Sequence, residues 1–153
     1  MKKIDVEAAE IRRGSRYPAP FHETGVGKSR RRLGLAAGLS QFGVNLLTLP
    51  PGVWSSQRHW HSREEEFVFV VSGEVTLVTD AGEEVLRAGD CAGFKAGDPD
   101  GHYLVNTSDR DAVLLEVGSS HADDICTYSD IDMVASKTDF TRRDGTPYPV
   151  REP

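Results

Sequence analysis

Three histidines and one glutamate have types and spacing that suit a metal site. His59 and His61 are one residue apart, and on an extended strand two such side chains point to the same side. Glu66 opens the apolar run 67–71, so a strand that folds back antiparallel would turn its carboxylate toward the two imidazoles. His102 follows at a distance. Three neutral nitrogens and one carboxylate oxygen can hold a divalent first-row metal.

The chemistry of such an ion is broad. It can act as a Lewis acid on a carbonyl, lower the pKa of bound water, or bind oxygen if it is iron. The donor set suits iron, manganese, nickel, zinc or cobalt, and in octahedral geometry it leaves two positions for water or substrate oxygens. We therefore expect one divalent transition metal of undetermined identity.

Alternation along the strands predicts which neighbours line the site. The surface around the metal site is expected to be mostly apolar. No second Glu or Lys is expected to face the site as a general acid or base, so the catalytic residue stays unknown. The residues expected to share a face with the four candidate ligands are Ser55, Gln57, Val68, Val70 and Leu104.

Short strands separated by Gly, Pro and Asp turns are predicted to carry these residues. Such spacing indicates an all-β sandwich or barrel. Before it, residues 4–13 have a weak helical pattern, and 14–33 read as an extended arm; after it, 119–153 are polar and turn-rich. The predicted strands are 42–49, 53–60, 67–71, 75–79, 84–86, 91–94, 103–105 and 112–117.

Length, composition and charge limit the class of protein. A chain of 153 residues fits one domain. Residues 1–32 carry nine basic and four acidic side chains, a charge of +5, whereas 33–153 carry nine and twenty, a charge of −11. An acidic body argues against nucleic-acid binding. No apolar run could span a bilayer, and the N-terminus is charged, so we expect a cytoplasmic protein without a membrane partner.

Two smaller features point away from other chemistries. Cys91 and Cys126 are too few for a disulfide framework and lack zinc-knuckle spacing, so reduced thiols are expected. The sequence 25–29, GVGKS, suggests a phosphate loop, but His22 stands where that motif needs glycine and no strand precedes it.

Two segments together resemble the conserved motifs of the cupin superfamily. Residues 52–73 read G-x6-H-x-H-x4-E-x6-G, and residues 89–106 read G-x5-K-A-G-x4-H-x3-N. The chain departs from the family pattern by one extra residue before His59, by Lys95 in place of proline, and by four residues instead of two before His102. These changes lie in loops or at strand starts, where length changes are tolerated.

The resemblance implies a fold and a ligand set. It implies a single cupin, or jelly-roll, β-barrel over 38–118, with an N-terminal arm over 1–37 and a C-terminal extension over 119–153 packed on the barrel. His59, His61, Glu66 and His102 carry over as metal ligands. Glu66 is preferred to Glu64 and Glu65, expected as solvent-facing turn residues, because of its six-residue spacing to the following glycine. Asn106 is expected to be a structural hydrogen-bonding residue.

The resemblance also implies functions to weigh. Small single-domain bacterial cupins like this chain are often grouped with sugar-phosphate isomerases, so we favour a metal-dependent enzyme with non-redox chemistry on a small oxygenated substrate. An iron-dependent dioxygenase and a non-catalytic small-ligand binding or sensor protein are the alternatives. Small cupins usually pair sheet to sheet, and an arm such as 14–33 often crosses to the partner, so we expect a homodimer.

Overall fold

The computed structural model describes residues 3–151, and β-strands make up most of its regular structure. Within this range the helical elements are a 3-10 turn over Glu23–Gly25 and a single helical turn, α1, over Leu33–Ala36. The strands are β1 Ile11–Arg13, β2 Ser29–Arg31, β3 Phe42–Leu49, β4 His59–His61, β5 Glu66–Ser72, β6 Glu74–Thr79, β7 Gly82–Arg87, β8 Cys91–Phe94, β9 Tyr103–Val105, β10 Ala112–Ser119, β11 Cys126–Tyr128, β12 Val134–Ala135 and β13 Phe140–Thr141.

The strands form three antiparallel sheets. Their orders are β1-β2-β3-β10-β5-β8, β7-β6-β9 and β13-β12-β11-β4. The central pairing, β10 with β3, runs from Ala112 opposite Leu49 to Ser119 opposite Phe42 without interruption. The predicted all-β barrel fold is therefore confirmed, and no helix among residues 3–151 is long and apolar enough to cross a membrane.

Alternating side chains build the core between the six-stranded and three-stranded sheets. In β5, Val68 and Val70 are buried, whereas Phe67, Phe69 and Val71 lie on the outer face. Because the period is two, one face of the strand joins the core while the other stays outside. The buried cluster is Leu47, Leu49, Val68, Val70, Val75, Leu77, Leu86, Leu104, Ala112 and Leu114.

A tight bend at Gly73 leads the chain from β5 in the six-stranded sheet to β6 in the three-stranded sheet. Gly73 has φ of 75°, and a Cβ on this residue would lie 2.7 Å from the backbone oxygen of Asp111 and 2.9 Å from Cα of Ala112. A side chain is excluded here both by backbone conformation and by contact with the neighbouring strand.

Most predicted strands between 42 and 117 match observed ones, but the predicted strand 53–60 and the helix predicted over 4–13 do not. The predicted strand 53–60 is mainly a series of bends, and only its end joins β4, His59–His61. The weak helix predicted over 4–13 is wrong: residues 6–8 form a turn, and β1 begins at Ile11. Both segments are held by long-range contacts that local periodicity does not encode.

The terminal segments are more ordered than their composition suggests. In the N-terminal segment, β1 pairs with β2 and β2 pairs with β3, which adds two strands to the edge of the six-stranded sheet. In the C-terminal segment, β11 pairs directly with β4, which carries His59 and His61. Residues after 119 therefore reach the candidate site and do not only cover the barrel.

Candidate metal centre

Backbone pairing brings the four predicted ligands together. His59 and His61 occupy the two ends of β4 and project to the same side. The backbone N–H of His59 donates to the oxygen of His102 at 3.2 Å, and the N–H of His102 donates back to His59 at 2.9 Å. This isolated bridge fixes His102 opposite β4, while Glu66 begins β5 on the facing sheet.

Three imidazole nitrogens converge on one carboxylate oxygen. Oε2 of Glu66 lies 2.9 Å from Nε2 of His102, 3.3 Å from Nε2 of His59 and 3.6 Å from Nε2 of His61. The His102 ring is further held by Phe94, stacked with centroids 3.5 Å apart and planes 4° from parallel. Three soft-to-borderline nitrogens around one hard oxygen match the donor preferences of divalent first-row metals.

Hydrogen bonds at the other ring nitrogens favour the tautomer that binds a metal. Nδ1 of His59 donates to the backbone oxygen of Gln57 at 2.9 Å, because a carbonyl only accepts. Nδ1 of His61 lies 2.6 Å from Oδ2 of Asp124. With Nδ1 as donor, Nε2 keeps its lone pair for the ion, the arrangement that carboxylate–histidine–metal sites use. The residues present therefore fit a divalent metal.

Asp124 is itself fixed by the backbone. Its Oδ1 accepts the N–H of Arg63 at 2.8 Å and of Glu64 at 3.1 Å, and the residue is buried. No sequence pattern predicts this residue, because it lies 63 positions after its partner His61 and follows no motif spacing. Only the pairing of β11 with β4 brings the two together.

The charged states of the cluster follow from burial and mutual contact. Burial alone would raise the pKa of Glu66, but hydrogen bonds with His102 and His59 bring it well below its ordinary value. Burial lowers the pKa of His59, yet the hydrogen bond with Glu66 and its charge outweigh burial, so this pKa is raised. For His102 burial dominates and the pKa is lowered. The carboxylate therefore stays ionised beside the imidazoles.

Further potential donors surround the four predicted ligands. The prediction that Glu64 faces solvent is wrong: its side chain is largely buried, its Oε1 accepts the N–H of His121 at 2.7 Å, and it pairs with Lys137.

Cys126 lies beside His61 across the β4–β11 pair. Burial raises the pKa of its thiol to about 12, so the thiol stays protonated. Ligand atoms lie within 4.8 Å of one another in two further groups, His59–His61–Cys126 and His61–Glu64–Asp124.

Three of the five predicted neighbours line the cavity next to this cluster. Ser55, Val68 and Leu104 lie in its wall. Gln57 does not, because residues 55–58 form bends and strand alternation fails there; its amide nitrogen instead donates to the oxygen of Phe21 at 2.9 Å. Val70 does not line it either, since it lies one step deeper in the apolar core.

The cavity has a volume of about 800 Å³ and two chemically different parts. The histidine cluster and the carboxylates of Glu64, Glu66 and Asp124 form one part. The other part is formed by the N-terminal strands and the loop between them. We call its basic residues the cationic wall: Arg12, Arg13, Arg16, Lys28 and Arg30.

Fold, motif residues and comparisons together define the class of protein. The cupin domain family matches residues 45–118. The chain is also 46% identical to a protein of the cupin superfamily, and the match covers 97% of each chain. The chain therefore belongs to the cupin superfamily.

Solved structures give more specific similarities. The 46% identical protein is a sugar phosphate isomerase of the cupin superfamily from Silicibacter pomeroyi, and its TM-score is 0.91. A protein from Acidithiobacillus ferrooxidans, provisionally named a sugar phosphate isomerase, is 27% identical over 82% of this chain and 81% of its own, with a TM-score of 0.71. A polyketide cyclase from Streptomyces resistomycificus is 20% identical over 79% and 80% of the two chains, with a TM-score of 0.63, which reflects the fold alone. No curated protein matches the sequence.

Proposed function

We propose that this cupin is a metal-dependent isomerase of a sugar phosphate. The observation that carries the proposal is the convergence of three Nε2 atoms on Glu66 Oε2 at the wall of a cavity large enough for a small substrate. The 46% identity to a sugar phosphate isomerase supports the choice of reaction. A fold alone would not, because one fold hosts many activities.

In this proposal His59, His61, Glu66 and His102 hold one divalent transition metal. When bound, the metal supplies Lewis acidity toward a carbonyl or hydroxyl oxygen of the substrate. The protein keeps the metal-binding side chains in position: the backbone oxygen of Gln57 orients the ring of His59. The neighbouring side chains of the cavity limit the space around the substrate. Val68 and Leu104 exclude water from one side of the cavity.

Metal content and turnover test this proposal together. We expect about one divalent ion per chain in the purified protein, and aldose–ketose conversion of a sugar phosphate that a chelator abolishes and added metal restores. The His61→Ala variant should hold less than about a tenth of the metal, because it loses one nitrogen donor. His121→Ala is the matched control, since the variant keeps the backbone N–H that bonds Glu64 and loses only the side-chain acceptor of the Asp123 N–H at 3.2 Å.

The alternatives give different results in the same assays. Catalysed oxygen consumption with iron bound would replace the isomerase with a dioxygenase. Tight small-ligand binding without conversion of any sugar phosphate would favour a binding or sensor protein. A His61→Ala variant with unchanged metal content would contradict the proposed metal site itself.

We also propose that the chain forms a homodimer through the outer face of the six-stranded sheet. Phe67, Phe69 and Val71 alternate on this face and are 42%, 37% and 49% exposed. Three exposed apolar side chains on one strand face support an interaction surface there. Light scattering should give twice the chain mass for the wild type and a monomer for Phe69→Asp. Val85→Asp, a similarly exposed apolar position in β7, should remain dimeric.

A monomeric wild type, unchanged by deletion of residues 1–33, would rule out both the dimer and a role for the N-terminal arm in it. The location in the cytoplasm, expected from the charged N-terminus, stays a prediction.

A further inference from the structure

The cationic wall carries more positive charge than the carboxylates around it neutralise. Arg30 is paired with Glu116 by two hydrogen bonds of 2.6 and 2.9 Å, and Arg12 lies 4.0 Å from Glu10. Within residues 3–151, Arg13, Arg16 and Lys28 have no carboxylate partner. Burial and the neighbouring Arg32 and Arg16 lower the pKa of Arg12, which reflects how close these like charges lie. The wall therefore has a surplus of positive charge facing the cavity.

Two of these cations meet at one carbonyl group. Nζ of Lys28 donates to the backbone oxygen of Ser55 at 2.6 Å, and Nη2 of Arg30 donates to the same oxygen at 3.3 Å. Lys28 is only 3% exposed, and a buried ammonium without a carboxylate is costly. Burial first, and Arg30 second, lower the pKa of Lys28 to about 7, while Glu116 opposes them only in part.

Lys28 and Arg30 keep hydrogen-bond donors that are not used within the described residues. The Lys28 ammonium has three N–H groups and uses one on Ser55, and Nη1 of Arg30 makes no hydrogen bond to any of the described residues. Ser15 and Ser56 also line this part of the cavity and carry hydroxyl groups. Several donors and unbalanced positive charge beside an open cavity are the features that recognise an oxyanion.

We infer that the cationic wall is a phosphate subsite, in which Lys28 and Arg30 hold the phosphate of the substrate while its sugar oxygens face the histidine cluster. This inference rests on the proposed function for its substrate. A phosphate monoester fits better than a single carboxylate because it brings about two negative charges, and the wall has more than one uncompensated cation. The GVGKS segment thus acts through its lysine side chain, although it is not a phosphate loop.

Binding of a simple dianion tests the subsite without any turnover. Inorganic phosphate and sulfate should bind the metal-loaded protein at constant ionic strength, and Lys28→Met should weaken both about tenfold to a hundredfold, the usual effect of losing a charged hydrogen bond. Metal content should not change. Lys95→Met is the matched control because Lys95 is exposed and lies outside this cavity. Equal affinity in wild type and Lys28→Met would overturn the assignment of Lys28.

The exposed arginines provide a variant that does not disturb the core. Arg13→Ala combined with Arg16→Ala removes two charges from the rim and should weaken sulfate binding severalfold, with a shallower dependence of affinity on salt. Unchanged affinity and unchanged salt dependence would exclude the arm from the subsite. This variant also keeps the inference testable if Lys28→Met fails to fold.

Proton uptake distinguishes a direct role of Lys28 from a structural one. At pH 8 a lysine with a pKa of about 7 is mostly neutral, and a bound dianion should make it charged again. Sulfate does not titrate at this pH, so calorimetry in buffers of different ionisation enthalpy should show an uptake of about 0.5–0.9 proton per site. The charged and titratable groups facing Lys28 are Arg30, Glu116 and Tyr17, and the Lys28→Met variant carries all three. Uptake that is zero, or equal in the variant, would refute the role.

Substrate pairs separate this inference from the proposed reaction. If the wild type binds sulfate through Lys28 but isomerises no sugar phosphate, the subsite stands and the proposed reaction falls. If the wild type isomerises a sugar phosphate and the unphosphorylated sugar with equal kcat/KM, and Lys28→Met changes neither value, the proposed isomerase stands and the subsite falls.

Discussion

Replacing Asp124 by asparagine should weaken metal binding although Asp124 is not one of the proposed ligands. Asparagine keeps the size of the side chain and removes its charge. The Asp124 Oδ1 atom accepts two backbone N–H groups, so the amide oxygen of asparagine is best placed there. The NH2 group then faces Nδ1 of His61, which can no longer donate. The proton of the imidazole moves to Nε2, the atom proposed to bind the metal.

The size of the effect follows from the contact that is lost. A hydrogen bond to a charged group is worth about 1.5–3 kcal/mol. This corresponds to a change in affinity of about tenfold to a hundredfold, since tenfold equals about 1.4 kcal/mol. The same range is typical when a carboxylate that orients a ligating histidine is removed. Asp124 lies 2.6 Å from Nδ1 and is buried, so we expect the upper half of this range.

Competition with a chromophoric chelator measures the affinity directly. Titrations with zinc and cobalt should both show the loss in Asp124→Asn, and the d–d spectrum of the cobalt form should change because the donor at His61 is altered. Asp123→Asn is the matched control, since Asp123 is the exposed neighbour and its carboxylate makes no contact with the histidine cluster. An Asp124→Asn protein that binds metal as tightly as the wild type would refute the reasoning about the tautomer.

Three further predictions concern stability and pH. Gly73→Ala should destabilise the fold by about 2–4 kcal/mol in urea unfolding, because Gly73 has a positive φ and the added Cβ would clash with neighbouring backbone atoms. Gly82→Ala is the control: Gly82 also has a positive φ, but the added Cβ would meet open space, so the cost should be about 1 kcal/mol. Asn106→Ala should cost about 1–3 kcal/mol in the same experiment, since the buried Leu49 oxygen loses its amide donor, whereas the partly buried Arg110 oxygen keeps the bond from Ser108 Oγ at 3.1 Å; no loss of stability would contradict this role. For Lys28, a folded pKa of about 7 lies below the unfolded value of 10.5, so the unfolded chain binds more protons between these values and stability rises with pH there. From pH 7 to pH 9 without added anions, the wild type should gain about 2 kcal/mol relative to Lys28→Met, and no gain would refute the lowered pKa.

Local patterns predicted the barrel strands well. The run 42–49 was predicted from its apolar content and its end at two prolines, and β3 has the same bounds. The buried Asn106 bridges the oxygens of Leu49 and Arg110 at 2.7 Å each, so its predicted structural role is confirmed. Turns and alternation succeed because they depend on residues that are neighbours in sequence.

Alternation failed where the backbone bends. Strand alternation predicts that Gln57 shares the face of His59, but the bends at 55–58 turn its amide toward Phe21. Glu64 was expected in solvent and is instead tied to the C-terminal segment through the backbone of His121. Neither outcome can be read from a period, since both depend on which distant segment packs against the turn.

The sequence by itself determined the fold class, because strand periodicity is a local property of the chain, and its resemblance to the two cupin motifs supplied the four candidate ligands. Only the tertiary structure decided what surrounds them. Pairing of β11 with β4 brings Asp124 and Cys126 to the histidines, and pairing of β1 with β2 and of β2 with β3 places the arginines and Lys28 at the cavity. The register between strands far apart in sequence is set by the packing of whole sheets, so no local spacing reveals these partners.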